Sequence, residues 1–170
     1  MIVHSTSWLL RDLLPDIDTY LEKLVMQYRV DLAWVSSADT THTNIVSIKY
    51  NTVSTKVPSL KVPHFNETSF CLHTIHRPIP LIIGPLSESP TFSAHPFVRE
   101  YNFSTYVGIP IVVKDGSEDD EYIGSVCMFF KDHVSHDIRH YENISADLKC
   151  IVGRKLDITK SYKSPLEKLT

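Results

Sequence analysis

A chain of 170 residues with 42% hydrophobic and 22% charged residues has the composition of a globular protein, and it is long enough to bury a core without a metal or disulfide. Seventeen basic against twenty acidic residues, a formal charge of -3, supply no basic surface for nucleic acid or an anionic membrane, so neither is expected as a partner. No apolar run reaches the length of a membrane span, and Met1 to Trp8 lacks the regions of a signal peptide; with three widely spaced cysteines that suit reduced thiols, a cytoplasmic protein is expected. The sequons at Asn66, Asn102 and Asn143 are then expected to be chance matches.

Taken in chain order, a short helix is expected over about 7–14, followed by a new helix whose first turn contains Pro15, with Asp16 and Asp18 complementing its positive end. Ile17, Tyr20, Leu21, Leu24, Val25 and Tyr28 share one face of it. Segments 32–36 and 45–50 are β-branched or aromatic and read as an antiparallel pair. Residues 53–63 form a connector. Asn66 is positioned to cap a helix in which Phe70, Cys71, Thr74 and Ile75 share a face and which stops before Pro78. A strand over 80–83, a Ser/Pro-rich loop and a helical turn over about 94–101 follow. Residues 105–113 and 122–130 are the strongest strands and form a hairpin around an acidic tip at 118–121, read as a solvated turn. The last helix is expected over about 136–158, with Tyr141, Ile144, Leu148, Ile151 and Val152 as its apolar stripe and a frayed tail after Lys160. No repeat or linker divides the chain, so one domain over 1–170 with a core over 16–158 is expected. The economical packing is α+β: an antiparallel sheet with the first and last helices on one face and the middle segment on the other.

Several residues invite chemistry. His136 and His140 have helical spacing with His133 nearby, but no H-E-x-x-H pattern or cysteine pair accompanies them, and a solvated helix face is the better reading; no metal or cofactor is assigned. His73 and His76 lie near a helix stop, where they favour its negative end or face a pocket. Cys71, early in its helix, has the setting for a depressed pKa, whereas Cys127 and Cys150 read as small buried hydrophobes. With five glycines in all, no phosphate-cradling loop exists. Gly108 and Gly124 mark a bulge or tight packing under a helix, or less favourably contact with a ligand, and Pro110 marks a position that donates no ladder bond.

The phrases Ser69-Phe70-Cys71, Pro90-Thr91-Phe92, His95-Pro96, Tyr106-Val107-Gly108-Ile109-Pro110, Asp115-Gly116 and Ile123-Gly124-Ser125-Val126-Cys127 occur in an order that resembles a GAF domain of bacterial sensor kinases and diguanylate cyclases. Pro85 and Leu86 stand where that group carries an aspartate, and Ser89-Pro90-Thr91-Phe92 replaces its Asp-x-Arg-Phe loop. The resemblance implies a GAF/PAS-like sheet of five to six strands and a non-catalytic sensory module that binds a small molecule at Phe70, His73, Thr74, Phe92, His95, Val98, Tyr106 and Met128. It further implies signalling through the terminal helices, which pair in a homodimer, and an output that is either a separate partner protein or part of a larger sensor to which the chain belongs. A ligand-free dimerisation or protein-interaction module is the alternative, and a cysteine-dependent methionine sulfoxide reductase ranks below it. No thiol stands where bilin-binding relatives attach their chromophore, and the cyclic-nucleotide motif of other relatives is absent.

Overall fold

Ile17, Tyr20, Leu21 and Leu24 recur at three- and four-residue spacing, and all four are buried along one side of helix α2 (Leu14–Gln27). The structure is a computed structural model describing residues 7–38, 43–55, 70–75, 77, 79–114, 120–135 and 137–167. Pro15 lies in the first turn of α2, where its missing N–H has no helical acceptor to lose. The shorter helix α1 (Ser7–Asp12) precedes it. Asp18 does not serve the helix end as expected; its carboxylate accepts from the Ser47 hydroxyl and lies 3.8 Å from Lys49 Nζ, tying α2 to a strand. At the other end the Tyr28 N–H bonds the Leu24 carbonyl at 2.9 Å, and Arg29 takes a left-handed φ of 53° that turns the chain out of the helix.

Among the described residues five strands form one antiparallel sheet: β1 (Leu32–Ala38), β2 (Thr43–Tyr50), β3 (Leu81–Ile83), β4 (Thr105–Lys114) and β5 (Asp120–Phe130), in the order β2-β1-β5-β4-β3. The middle segment contributes α3 (Phe70–Ile75), a 3-10 turn at Leu86–Glu88 and α4 (Pro96–Tyr101). β3 reaches only from Tyr106 to Gly108 along β4, so Pro110 lies where no described strand pairs on that side, the setting in which a residue without an N–H costs the ladder least.

The period of two divides the sheet between two cores. Ala33, Val35, Val107, Ile109, Val126, Met128 and Phe130 pack with Leu10, Ile17, Leu21 and Leu24 and with Ile144, Leu148 and Val152 of the last helix. Leu32, Trp34, Tyr106, Cys127 and Phe129, the intervening residues, pack with Phe70, Leu86, Phe92, Val98 and Phe103. The terminal helices thus lie on one face and the middle segment on the other, as the apolar patterning implies. Gly124 is explained by the first core: a Cβ there would strike the Ser36 carbonyl oxygen and the Leu10 side chain, so α1 packs directly over it.

The buried carboxylate of Asp31 closes the sheet's end. It accepts from the Lys131 backbone N–H at 2.6 Å and from the Ser54 hydroxyl, while Lys131 Nζ donates to the Ser54 carbonyl. The Asn51 N–H and Thr55 hydroxyl bond the Asp31 carbonyl at 2.9 and 3.2 Å, so one residue joins β1, the turn after β2 and the end of β5.

Three expectations change at the C-terminal end. The last helix, α5 (Glu142–Glu167), starts later, because Asp137 caps a 3-10 turn at Ile138–Tyr141 by accepting the Arg139 N–H at 3.0 Å, and it continues past Lys160 to Glu167. His140 therefore sits in that turn, edge-on to Tyr28 at 5.7 Å, rather than on a helix face. Cys150 is exposed rather than buried. Asn66, His76, Pro78, His136 and residues 115–119 of the hairpin tip lie outside the described residues, whereas Asp120 and Glu121, expected in the turn, belong to β5 and pair with Lys114 and Val113. α2 and α5 are joined by the Tyr20 hydroxyl, which donates to Asp147 at 2.9 Å. Among the described residues no helix is long and apolar enough to cross a membrane.

Candidate functional site

The site is built where α3 lies across β4 and β5. Phe70, Cys71, Thr74 and Ile75 recur at helical spacing and all are buried, which sets the inner face of α3 against the sheet. Phe70 is the hub of an aromatic stack. Its ring lies 4.0 Å from Phe92 and nearly parallel to it, 4.6 Å from Tyr106, 5.3 Å from His95, and 5.0 Å from Phe129 with an edge-on ring. Offset and edge-on pairs of this kind each add a fraction of a kcal/mol up to about 1.5 kcal/mol beyond area burial. His73 is exposed, with its ring edge-on to Phe92 at 5.3 Å.

Two polar side chains are enclosed by these rings. The Thr74 hydroxyl donates to the Phe70 carbonyl at 3.0 Å and shares a short bond with the Tyr106 hydroxyl, which also lies 3.2 Å from both the Phe70 carbonyl and Cys127 Sγ. Gly108 makes this possible: a Cβ there would collide with Thr74 Oγ1 and the Tyr106 hydroxyl. The missing side chain is thus used by the protein's own hydroxyls. Burial raises the Tyr106 pKa and keeps the phenol neutral, and burial lowers that of His95, favouring the neutral imidazole with one donor and one acceptor nitrogen.

Beside the hydroxyls lie two free thiols, Cys71 and Cys127, with their sulfurs 3.5 Å apart. Trp34 Nε1–H donates to Cys71 Sγ at 3.2 Å; Ser125 Oγ lies 3.6 Å from Cys127 Sγ and 2.9 Å from Ser36 Oγ. The Cys71 thiol is drawn down to about 6, first by its hydrogen bond with Cys127, with Ser36, Trp34 and Ser125 assisting against burial. Burial pushes the Cys127 thiol up, reinforced by the negative charge on Cys71.

Of the eight residues expected to surround a ligand, seven come together on this side of the sheet. Phe70, Thr74, Phe92, His95, Val98 and Tyr106 are buried here, and His73 borders them. Met128 does not belong to the group: it points to the opposite face, among the residues packed on α2 and α5. Alternation along β5 puts Met128 with Val126 and Phe130 and puts Cys127 and Phe129 on the ring side. That same signal identifies Phe129, Cys127 and, from β1, Trp34 as the sheet residues that sequence reasoning passed over. A separate surface cleft of about 480 Å³ opens between α2 and α5, bordered by Leu13, Tyr20, Lys23, Ile151 and Arg154.

No protein-family model matches the sequence, and no curated protein matches it either. Solved structures do match. The A. aeolicus nlh2 GAF domain in an inactive state is 15% identical, with a TM-score of 0.60 over 88% of this chain and 92% of that one. The GAF domain of a two-component sensor histidine kinase from Bacillus halodurans is 11% identical, with a TM-score of 0.59 over 88% and 96%. The type II free methionine-R-sulfoxide reductase from Thermoplasma acidophilum is 9% identical, with a TM-score of 0.63 over 85% and 93%. Likeness at these identities speaks for architecture, and together with the sheet order and the two-sided core it establishes that this chain has the GAF fold.

Proposed function

We propose that the chain is a sensory GAF module that binds a small molecule on the Trp34, Tyr106 and Phe129 face of the sheet and signals through its terminal helices. The division of one sheet between two cores carries this reading. Each strand residue beneath the rings is bonded to one beneath the helices, Tyr106 to Val107 and Phe129 to Met128, so a ligand that moves the strands on one side repacks α2 and α5 on the other. Such coupling requires only that the ligand bind the two packings unequally. Phe92 lies in the turn before α4 rather than inside a helix, which makes it the ring to yield to a guest. Stacked rings with a buried threonine hydroxyl and a neutral imidazole suit an uncharged, ring-containing molecule. The sensor-kinase GAF domain among the structural neighbours supports a regulatory role. In this reading the protein acts in the cytoplasm as a homodimer through its terminal helices, which pass the signal to an output partner.

Native mass spectrometry of the purified chain and calorimetry against metabolite libraries test the proposal. A ligand whose affinity falls at least tenfold in Phe92→Ala and is unchanged in Met128→Leu is the expected result; finding none overturns it.

A ligand-free dimerisation module is a second reading, favoured by the way Thr74 and Tyr106 already occupy the space above Gly108. A ligandless dimer burying more than about 1,000 Å² of helix surface would establish it. The reductase reading draws on the paired thiols and the Thermoplasma neighbour, and is rejected if the parent chain shows no sulfoxide turnover above background or if Cys71→Ser turns sulfoxide over as fast as the parent.

A further inference from the structure

Two thiols 56 residues apart in sequence meet at 3.5 Å because α3 lays Cys71 on the centre of β5. Neither is needed for the ring stack. Both are buried, Cys71 slightly less completely, at 5% exposure against none for Cys127. They also differ in partners. Cys71 receives the Trp34 N–H, while Cys127 lies among the hydroxyls of Tyr106 and Ser125.

We propose that Cys71 and Cys127 form a redox-active dithiol that closes to an intramolecular disulfide on reaction with a hydroperoxide. Cys71 is the sulfur that attacks, since its residue is the less enclosed of the two and it receives a donated N–H. With its thiol drawn down to about 6 by the bond with Cys127, it is largely thiolate near neutral pH, the nucleophilic form. Burial holds the proton on Cys127. The thiolate attacks the terminal oxygen of the hydroperoxide, the O–O bond breaks, and the departing alkoxide takes a proton and leaves as an alcohol, or as water when the oxidant is hydrogen peroxide. Cys71 is then a sulfenic acid. Cys127 attacks that sulfur, its proton joins the expelled hydroxide to make water, and the S–S bond forms. In sum, two thiols and one hydroperoxide give one disulfide, one alcohol and one water. Each sulfur gives up one electron, and the peroxide bond receives two.

Closing the bond brings the sulfurs from contact to about 2.05 Å, so they approach by about 1.5 Å. The neutral disulfide is a weaker acceptor for the Trp34 N–H than the thiolate it replaces. Because α3 packs on β4 and β5, the sheet between the two cores receives the displacement. The inference does not depend on the face also taking a small molecule.

The test uses the full chain, reduced, desalted and treated with one equivalent of hydrogen peroxide, followed by non-reducing peptide mapping. A cross-link between the Cys71 and Cys127 peptides is expected, with a mass loss of about 2 Da reversed by dithiothreitol and Cys150 left as a free thiol. In Cys127→Ser the sulfenic acid on Cys71 is expected to persist long enough for capture by dimedone, while Cys150→Ser cross-links as the parent does. Oxidation confined to Cys150, or conversion of Cys71 to the sulfinic acid with no cross-link in the parent chain, overturns the proposal.

Discussion

Alanine placed at each of three glycines is expected to destabilise at two and stabilise at the third, by different amounts, because the three backbones have different neighbours. At none of them is the chain in the left-handed region, so an added methyl brings no backbone strain and meets only its surroundings. At Gly108 the methyl enters the space of the Thr74 and Tyr106 hydroxyls. Overpacking of this kind costs about 1–3 kcal/mol, and separating the two hydroxyls adds about 1 kcal/mol. Reduced freedom of the unfolded chain returns about 0.4–1 kcal/mol. The net loss is about 2 kcal/mol, or a fall in Tm of about 4–8 °C for a chain this long. At Gly124 one obstacle is the Ser36 carbonyl, which cannot rotate away as a side chain can, and the loss is expected to reach about 3 kcal/mol. At Gly153, within α5, nothing stands within 4 Å, so alanine should stabilise by about 1 kcal/mol through helix propensity. Urea unfolding of the three variants, with unchanged m-values, measures the series. The double variant Gly108→Ala with Tyr106→Phe should lose less than the sum of its parts, since one substitution removes the atom the other strikes. A neutral Gly108→Ala would refute the placement of α3 on β4, and with it the filled space above the glycine.

Asp31→Ala strands the Lys131 N–H and the Ser54 hydroxyl at a buried site, an expected loss of about 3 kcal/mol. Asp31→Asn, which keeps one acceptor, should lose about half as much, and faster amide exchange at Lys131 would locate the damage. Arg29 and Asn102 both have positive φ, yet Arg29→Gly is expected to stabilise by about 1 kcal/mol and Asn102→Gly by much less, because asparagine tolerates that region; paired thermal denaturation decides. Burial raises the pKa of Tyr20, Tyr28, Tyr106 and Tyr141 above the ordinary 10.0, with Asp147 adding to the effect at Tyr20. A folded state that holds these protons more tightly is stabilised below pH 10 and loses that contribution as pH rises past it. Unfolding free energies should therefore decline above pH 10, and the gap between the parent chain and Tyr20→Phe should narrow there.

Local pattern carried most of the architecture. The strand alternation around Tyr106 and Phe129 and the helical spacing from Ile17 to Leu24 belong to short windows, and the sheet with helices on one face follows from pairing them. Met128 was misplaced because a resemblance names residues in a strand without naming the face, although the period of two already separates it from Cys127. The start of α5 was misjudged because Asp137 caps a single 3-10 turn before the helix, and one turn of either kind has the same composition. The meeting of Cys71 with Cys127, and of Asp31 with Lys131 across 100 residues, depends on sheet order and on how α3 docks, neither of which any window contains. Cys150 follows Leu148 in the apolar stripe by two residues, which rotates it out to solvent.

The brevity of β3 bears on how copies of this chain meet one another. Beyond Gly108, β4 continues for six residues to Lys114 with β5 on one side and no described strand on the other, and an open row of backbone donors and acceptors along that edge invites a second chain to add itself as a strand. Pro110 stands in that row. A proline has no proton to offer an incoming strand and its ring obstructs close pairing, so the same residue that fits an unpaired edge also guards it against aggregation.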